Sequence, residues 1–351
     1  MLARENGFIE SEWPNLKNHF ADGNDVDASN VRPRLELVDS GTWQSRLFRL
    51  ASLTWSVPVS QGYGRRMRFL VWDESNGKLV GLIALGDPVF NLRVRDEIIG
   101  WDAEDRKERL VNMMDTYVLG ALPPYNQLLA GKLVACLVRT REIKDAFASK
   151  YATTTGIISK RKKRPSLALV TTTSELGRSS LYNRLQLDGT RYFRPIGFTV
   201  GWGHFHVPDK LFNLMRDYLR AQKDAYASNH YFGEGPNWRM RAIRKAMTNL
   251  GLHPELLRHG VGREVFVCEL ARNATGILSG RVKRPDYRGL LTVDEVSELA
   301  KTRWLIHRAA RCPEFRSWRK EQILSLLSSE CVQEVGSRIH SPGAVVARKG
   351  M

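Results

Sequence analysis

The sequence predicts an α/β protein: a central mixed sheet flanked by helices, with an added, mainly helical C-terminal segment. Three observations carry that expectation. Arg68 to Leu85 reads as two apolar runs around Ser75-Asn76-Gly77, and Asn-Gly is the tight-turn dipeptide of a β-hairpin. Met114 to Leu122 alternates apolar residues and stops at Pro123-Pro124, after which the apolar spacing becomes that of a helix. Thr292 to Arg308 and Glu314 to Leu327 then close the chain with helical patterns.

Taken in order, residues 1–31 are poor in apolar residues and include ADGNDVDASN, which predicts a flexible N-terminal segment. The ordered core is expected from residue 32, with RPRLELV as a strand and Trp43 to Trp55 as a helix. GYGRRM is a basic, glycine-rich turn before the hairpin, and Arg93 to Leu110 alternates its charges like a solvated helix or loop over the sheet.

After the proline stop, the helix is expected from Asn126, which would cap it. Ala130 and Gly131 are small, so another group can approach closely. A strand that breaks into a helix with a small, polar first turn offers free amides to an anion. Asn126, Gln127, Ala130, Gly131 and Lys132 are therefore candidate anion-binding positions, with Arg178 opposing them. TVGWGHFHVP reads as a strand. Helices are expected over Leu211 to Ala227 and Trp238 to Leu250, with GREVFVCELA as a later strand. The expected division is a core over 32–210, a basic helical region over 211–335 and a disordered tail over 336–351.

Charge is the strongest compositional statement. The chain has 54 Lys and Arg against 37 Asp and Glu, a formal net charge of +17, which favours polyanionic partners such as nucleic acid. No apolar run approaches the length needed to span a bilayer, and MLARENGFIE lacks the apolar stretch of a secretion signal. The four cysteines are scattered without metal or redox spacing, so a reduced, cytoplasmic setting is expected. Neither a Walker A loop, a Rossmann fingerprint nor a G-x-S-x-G elbow occurs.

Two basic clusters suit phosphate backbones. Arg161, Lys162, Lys163 and Arg164 lie in the run KRKKR, which reads either as a solvated loop or as a clamp. Arg239, Arg241, Arg244 and Lys245 share one helix with Trp238, which would be available for base stacking. Arg263, Arg281, Lys283, Arg284 and Arg288 extend the basic character downstream. Separately, period-two alternation puts His204 and His206 on one face of their strand, either as a divalent-metal pair or as histidines bonded within the sheet.

Several phrases together resemble one family. LVGLIALGDPVFNLRVRDEIIGW, YVLGALPPYNQLLAGKLVACL, TTTSELGRSSLYNRL and GFTVGWGHFHVP are similar to the DruA family of the Druantia anti-phage defence systems, over roughly residues 30–320. That resemblance implies one component among the subunits of a defence system. In architecture the same stretch resembles the GNAT acetyltransferase fold: hairpin, strand, pyrophosphate loop, helix, a further strand, a short helix with a tyrosine, and a "GF" strand. The resemblance implies an acyl-CoA site at Asn126 to Lys132 with Tyr182 as general acid to the leaving thiolate. The loop QLLAGK departs from the usual Gln/Arg-x-x-Gly-x-Gly/Ala by one misplaced glycine. His204-Phe-His206 followed by a tyrosine-bearing helix also resembles HUH single-strand nickases, which implies Tyr218 as the nucleophile. An enzyme of either kind and a non-catalytic binding component are thus both open.

Overall fold

The computed structural model describes residues 2–56, 59, 64–152, 154–155, 162–163, 165–175, 177–200, 204–205, 207–227 and 238–327. These fall into two compact units: 1–173, 179–196 and 265–351 in the first, and 174–178 with 197–264 in the second.

The first unit opens with α1 (Leu2–Leu16) and β1 (Pro33–Leu37), then α2 (Trp43–Ser52) and the hairpin β2 (Arg66–Asp73) and β3 (Lys78–Gly86). Two short helices, α3 (Arg93–Ile99) and α4 (Ala103–Arg109), lead to β4 (Met113–Ala121). Then come α5 (Ala130–Leu137), α6 (Arg141–Lys150), β5 (Leu169–Thr173), β6 (Arg194–Phe198) and β7 (Glu264–Glu269). Between β6 and β7 the chain makes the second unit, with helices α7 (Asp209–Ala221) and α8 (Trp238–Asn249). The end is helical: α9 (Ala274–Leu278), α10 (Val293–Ala300), α11 (Ile306–Arg311) and α12 (Gln322–Leu327).

The seven strands form one mixed sheet in the order β1-β2-β3-β4-β5-β7-β6. β4 and β5 are parallel, whereas β1–β2, β2–β3, β3–β4 and β5–β7 are antiparallel. Alternation sends Phe69 and Val71 to one face with Leu133, Val134, Phe147 and Val296, and Leu70 and Trp72 to the other with Trp13, Leu47 and Leu50. A third cluster joins Ile99, Met113, Leu169, Val267 and Leu278.

Three expectations differ from this. The start of the chain is a packed helix: Ile9, Trp13 and Leu16 are few, but helical spacing gathers them on one buried stripe. The segment 93–110 is not a solvated cover, because Arg95 is wholly buried. Its guanidinium donates to Asp96 Oδ1 (2.8 Å), Val89 O (2.8 Å) and Phe90 O (2.9 Å), so the buried charge is met. The second unit is 197–264 with 174–178, not a C-terminal region from 211, and the terminal helices α10 and α12 contribute Val296, Ile323 and Leu327 to the first unit's core. The expected tail at 336–351 lies outside the described residues.

The second unit has its own small core of Phe212, Leu219, Ile243, Ala246 and Met247 between α7 and α8. Strand structure does not run through residue 205: His204 makes only an isolated bridge with Arg258.

Candidate anion site at the start of helix α5

β4 pairs with β5 only at Met113–Leu169, Met114–Val170 and Asp115–Thr171. Both strands continue, β4 against β3 and β5 against β7, but no longer against each other, so the sheet forks there. A register shift between Ala84 and Leu85 leaves Tyr117 as the extra residue of a bulge just inside the fork. Asp115 closes its base, accepting from Thr171 Oγ1 at 2.8 Å. Burial pushes its carboxyl up to about 6, against the opposing pull of Thr171 and Arg95.

Beyond β4, Pro123-Pro124 ends the strand as expected, with a cis bond between the two prolines. The helix does not begin at Asn126. Tyr125–Leu128 forms a 3₁₀ turn, and Leu129 then takes a left-handed conformation with φ 62°. That kink separates the turn from α5, which starts at Ala130 with Leu129 as its N-cap and no side-chain cap. Asn126 is therefore not the capping residue. Gly131 falls in the uncapped first turn, where amides lack the i−4 acceptors of a helix interior. A Cβ on Gly131 would meet Leu181 Cδ1 at 3.9 Å and Ala121 N at 4.0 Å, so alanine would fit there without strain.

Around this turn the chain gathers cations from distant segments. Arg308 Nε donates to Gln127 O at 3.1 Å, and the Lys132 ammonium lies 5.3 Å from the centre of the Trp304 ring. Burial lowers the Lys132 pKa, and the neighbouring charges of Arg184 and Arg303 lower it further. Lys132 thus sits beside like charges, an arrangement that an anion would relieve.

The other expected positions are placed as follows. Tyr182 packs against Phe193 and Phe266 with ring centres at 5.0 and 5.2 Å, as a partly buried member of the core, and its amide is fixed by Ser179 Oγ. Arg178 belongs to the second unit. His204 Nε2 lies 2.9 Å from Arg244 Nη2, so its Nε2 is the acceptor of an arginine and not a vacant metal ligand. The Tyr218 hydroxyl donates to Asn249 O at 3.2 Å. Among the described residues no group of three metal-ligating side chains occurs; His206 lies outside them.

The basic helix is also partly spent. Trp238 stacks edge-on against Phe212 at 5.4 Å, and Arg239 is held by Asp209 Oδ1 and Val207 O, both at 2.6 Å. Lys245 lies 3.8 Å from Asp224. Arg241 and Arg244 remain exposed on α8. Arg161 and Arg164 lie outside the described residues; the backbone of Lys162 and Lys163 pairs with Thr154 and Thr155 in a short antiparallel ladder. No described helix is long and apolar enough to cross a membrane.

Comparison with known proteins supplies the family but not a structural template. No solved structure matches the chain. A curated relative, "Druantia protein DruA" of Escherichia coli (strain UMEA 4076-1), is 55% identical over 326 residues, covering 93% of this chain and 81% of that protein. The family described as Druantia protein DruA matches residues 2–280, which takes in the whole fork, the α5 turn and the second unit. The chain belongs to the DruA family of Druantia anti-phage defence proteins.

Proposed function

We propose that this chain serves its defence system by binding a phosphate-bearing carrier of the acyl-CoA class on a GNAT-like sheet. The observation that carries the reading is the uncapped first turn of α5 at Gly131, with Lys132 next in the chain and the charges of Arg184 and Arg303 acting on that lysine, close in sequence to a fork in the sheet. Diphosphate suits such a place, because amides and cations meet its oxygens together. A hairpin, strand, turn and helix, further strand, tyrosine-bearing turn and GF strand follow in that order, with α6 and two short ladders between them, which supports the GNAT-like reading. Gln127, Ala130, Gly131 and Lys132 would hold the phosphates, and the carrier would supply an activated acyl group. The base of the fork offers one carboxylate, Asp115, which could accept a proton.

Isothermal titration with acetyl-CoA, longer acyl-CoA and free diphosphate tests this. Binding of CoA and acyl-CoA with measurable heat is expected, with competition by diphosphate. Gly131→Glu should abolish it by placing a carboxylate among the amides, whereas Gly131→Ala should retain it. Absence of heat with every ligand would reject the reading.

A second reading, contact with nucleic acid, is favoured by the net charge of +17 and by exposed Arg241 and Arg244. The nickase reading has less behind it, since the His204 imidazole and the Tyr218 hydroxyl each have another partner. Partner subunits of the defence system are in keeping with either favoured reading.

A further inference from the structure

The segment from Arg272 to Arg288 carries five cations, Arg272, Arg281, Lys283, Arg284 and Arg288, and one carboxylate, Asp286. The carboxylate is already occupied. Arg288 approaches it through both Nε and Nη2 at 2.9 Å, Arg272 stands 4.0 Å away, and the Arg288 hydrogen bonds pull the Asp286 pKa down to about 2. Arg281, Lys283 and Arg284 are exposed, and their side chains have no ion pair among the described residues. Three adjacent like charges repel one another, and the loop itself offers nothing to offset them.

The backbone beneath these cations is tied down. The Asn273 side chain spans the loop, donating to Arg284 O and accepting from Asp286 N, both at 2.9 Å. Arg272 N donates to Asp286 O at 2.8 Å, and Val282 N to Gly276 O at 3.0 Å. Val282 also lies over Gly276, whose absent side chain leaves it room. Tyr287 anchors the far end through its hydroxyl to Leu167 O at 3.1 Å. A charged loop needs none of this to stay in water; a loop that must present cations in a fixed pattern does, because the ordering cost is then met before binding.

We infer that the loop from Gly280 to Arg288, fixed by Asn273, is a contact surface for the phosphate backbone of duplex nucleic acid. It deepens the nucleic-acid reading above and moves the contact from α8 to this loop. A duplex is favoured over a single strand because no free aromatic platform accompanies the cations: the Tyr287 hydroxyl is bonded, and the Lys144 ammonium lies over its ring at 5.5 Å. A membrane surface is disfavoured because a single apolar residue, Val282, stands among the cations; it is 39% exposed and leans on Gly276, too little apolar surface for an anchor.

The test is fluorescence anisotropy with a labelled DNA duplex of arbitrary sequence, across a salt series. Wild type should bind with an affinity that falls as salt rises. Replacing Arg281, Lys283 and Arg284 together by Ala should weaken binding and flatten the log K against log salt slope by about 2 to 3, at ~0.9 per phosphate. Lys283→Ala alone should flatten it by about 0.9, which guards against a triple variant that misfolds. Asn273→Ala should weaken binding severalfold with the slope unchanged, because it releases the loop without removing a charge. No binding at low salt would overturn the whole nucleic-acid reading. Binding whose slope survives the triple substitution would overturn only the loop, and a drop in slope with Arg241→Ala/Arg244→Ala instead would return the contact to α8. Tighter binding to the single strand, or loss of capture by anionic vesicles without loss of duplex binding, would also reject it.

Discussion

The Tyr125 hydroxyl donates to the Asp73 carboxylate at 3.0 Å, tying the turn before α5 to the end of β2. Asp73 is wholly buried and also accepts from the amides of Arg32 and Ser75 and the Ser75 hydroxyl. Asn76 Nδ2 donates back to the Tyr125 oxygen at 2.8 Å, so the hairpin turn and the candidate anion loop share one polar knot. Burial, with the Asp73 charge next, raises the Tyr125 pKa and keeps the phenol a donor.

Tyr125→Phe would leave the Asp73 carboxylate short of a donor in a place water does not reach. A loss of about 1–3 kcal/mol is expected, since an unmet buried acceptor costs its desolvation. Urea unfolding followed by tryptophan fluorescence measures it. A midpoint equal to that of wild type would mean that the knot adds nothing.

Arg95 should be the least replaceable cation in the chain. Arg95→Met leaves the carbonyls of Val89 and Phe90 and Asp96 Oδ1 without their guanidinium, while Arg106 Nη1 at 3.2 Å and Leu92 N at 3.3 Å still donate to Asp96 Oδ2. Breaking a buried pair in this way costs about 3–5 kcal/mol. Arg95→Lys should rescue little of that, because an ammonium cannot reach acceptors spread along a planar fork. Comparison of soluble yield and urea midpoint for the two variants decides the point; a well-folded Arg95→Met protein would count against it.

Asp115 gives stability a pH dependence of unusual sign. Its folded pKa of about 6 lies above the ordinary aspartate value of about 3.9, so between those limits the folded state holds more protons than the unfolded one. Its contribution is therefore most favourable below about pH 4 and is lost as pH rises through 6, by at most about 3 kcal/mol. Asp115→Asn can still accept from Thr171 Oγ1 and carries no charge. It should raise stability at pH 7.5 and remove this component of the slope between pH 5 and 7.5, both read from urea unfolding. A variant with an unaltered slope would place the titration elsewhere.

The parts of the fold legible in the sequence are those with local causes. Asn76-Gly77 set the hairpin, with Gly77 at φ 70°, and the prolines ended β4 within a residue of the expected place. The α5 start was not legible, because the left-handed residue is Leu129, and no residue type at that position announces such a conformation. The cations around Lys132 were missed for another reason. Arg184, Arg303 and Arg308 come from far along the chain and are ordinary in their own segments. Alternation also placed His204 on a regular strand that the chain does not form there, and only folding brings the imidazole to Arg244. For α1, composition misled, since a few apolar residues, Ile9, Trp13 and Leu16 with Leu2 and Phe8 beside them, suffice when their spacing is helical.

The second unit leaves the sheet from β6 and returns into β7, strands that are neighbours in the sheet, and its neck is closed by Thr199 N donating to Arg263 O at 2.8 Å. A detour whose two ends meet asks nothing of the strands that launch it beyond their spacing. Residues 199–263 can thus change in length while the sheet, the fork and the α5 turn keep their register. Change can accumulate in that excursion, and the cost of a failed version stays confined to it.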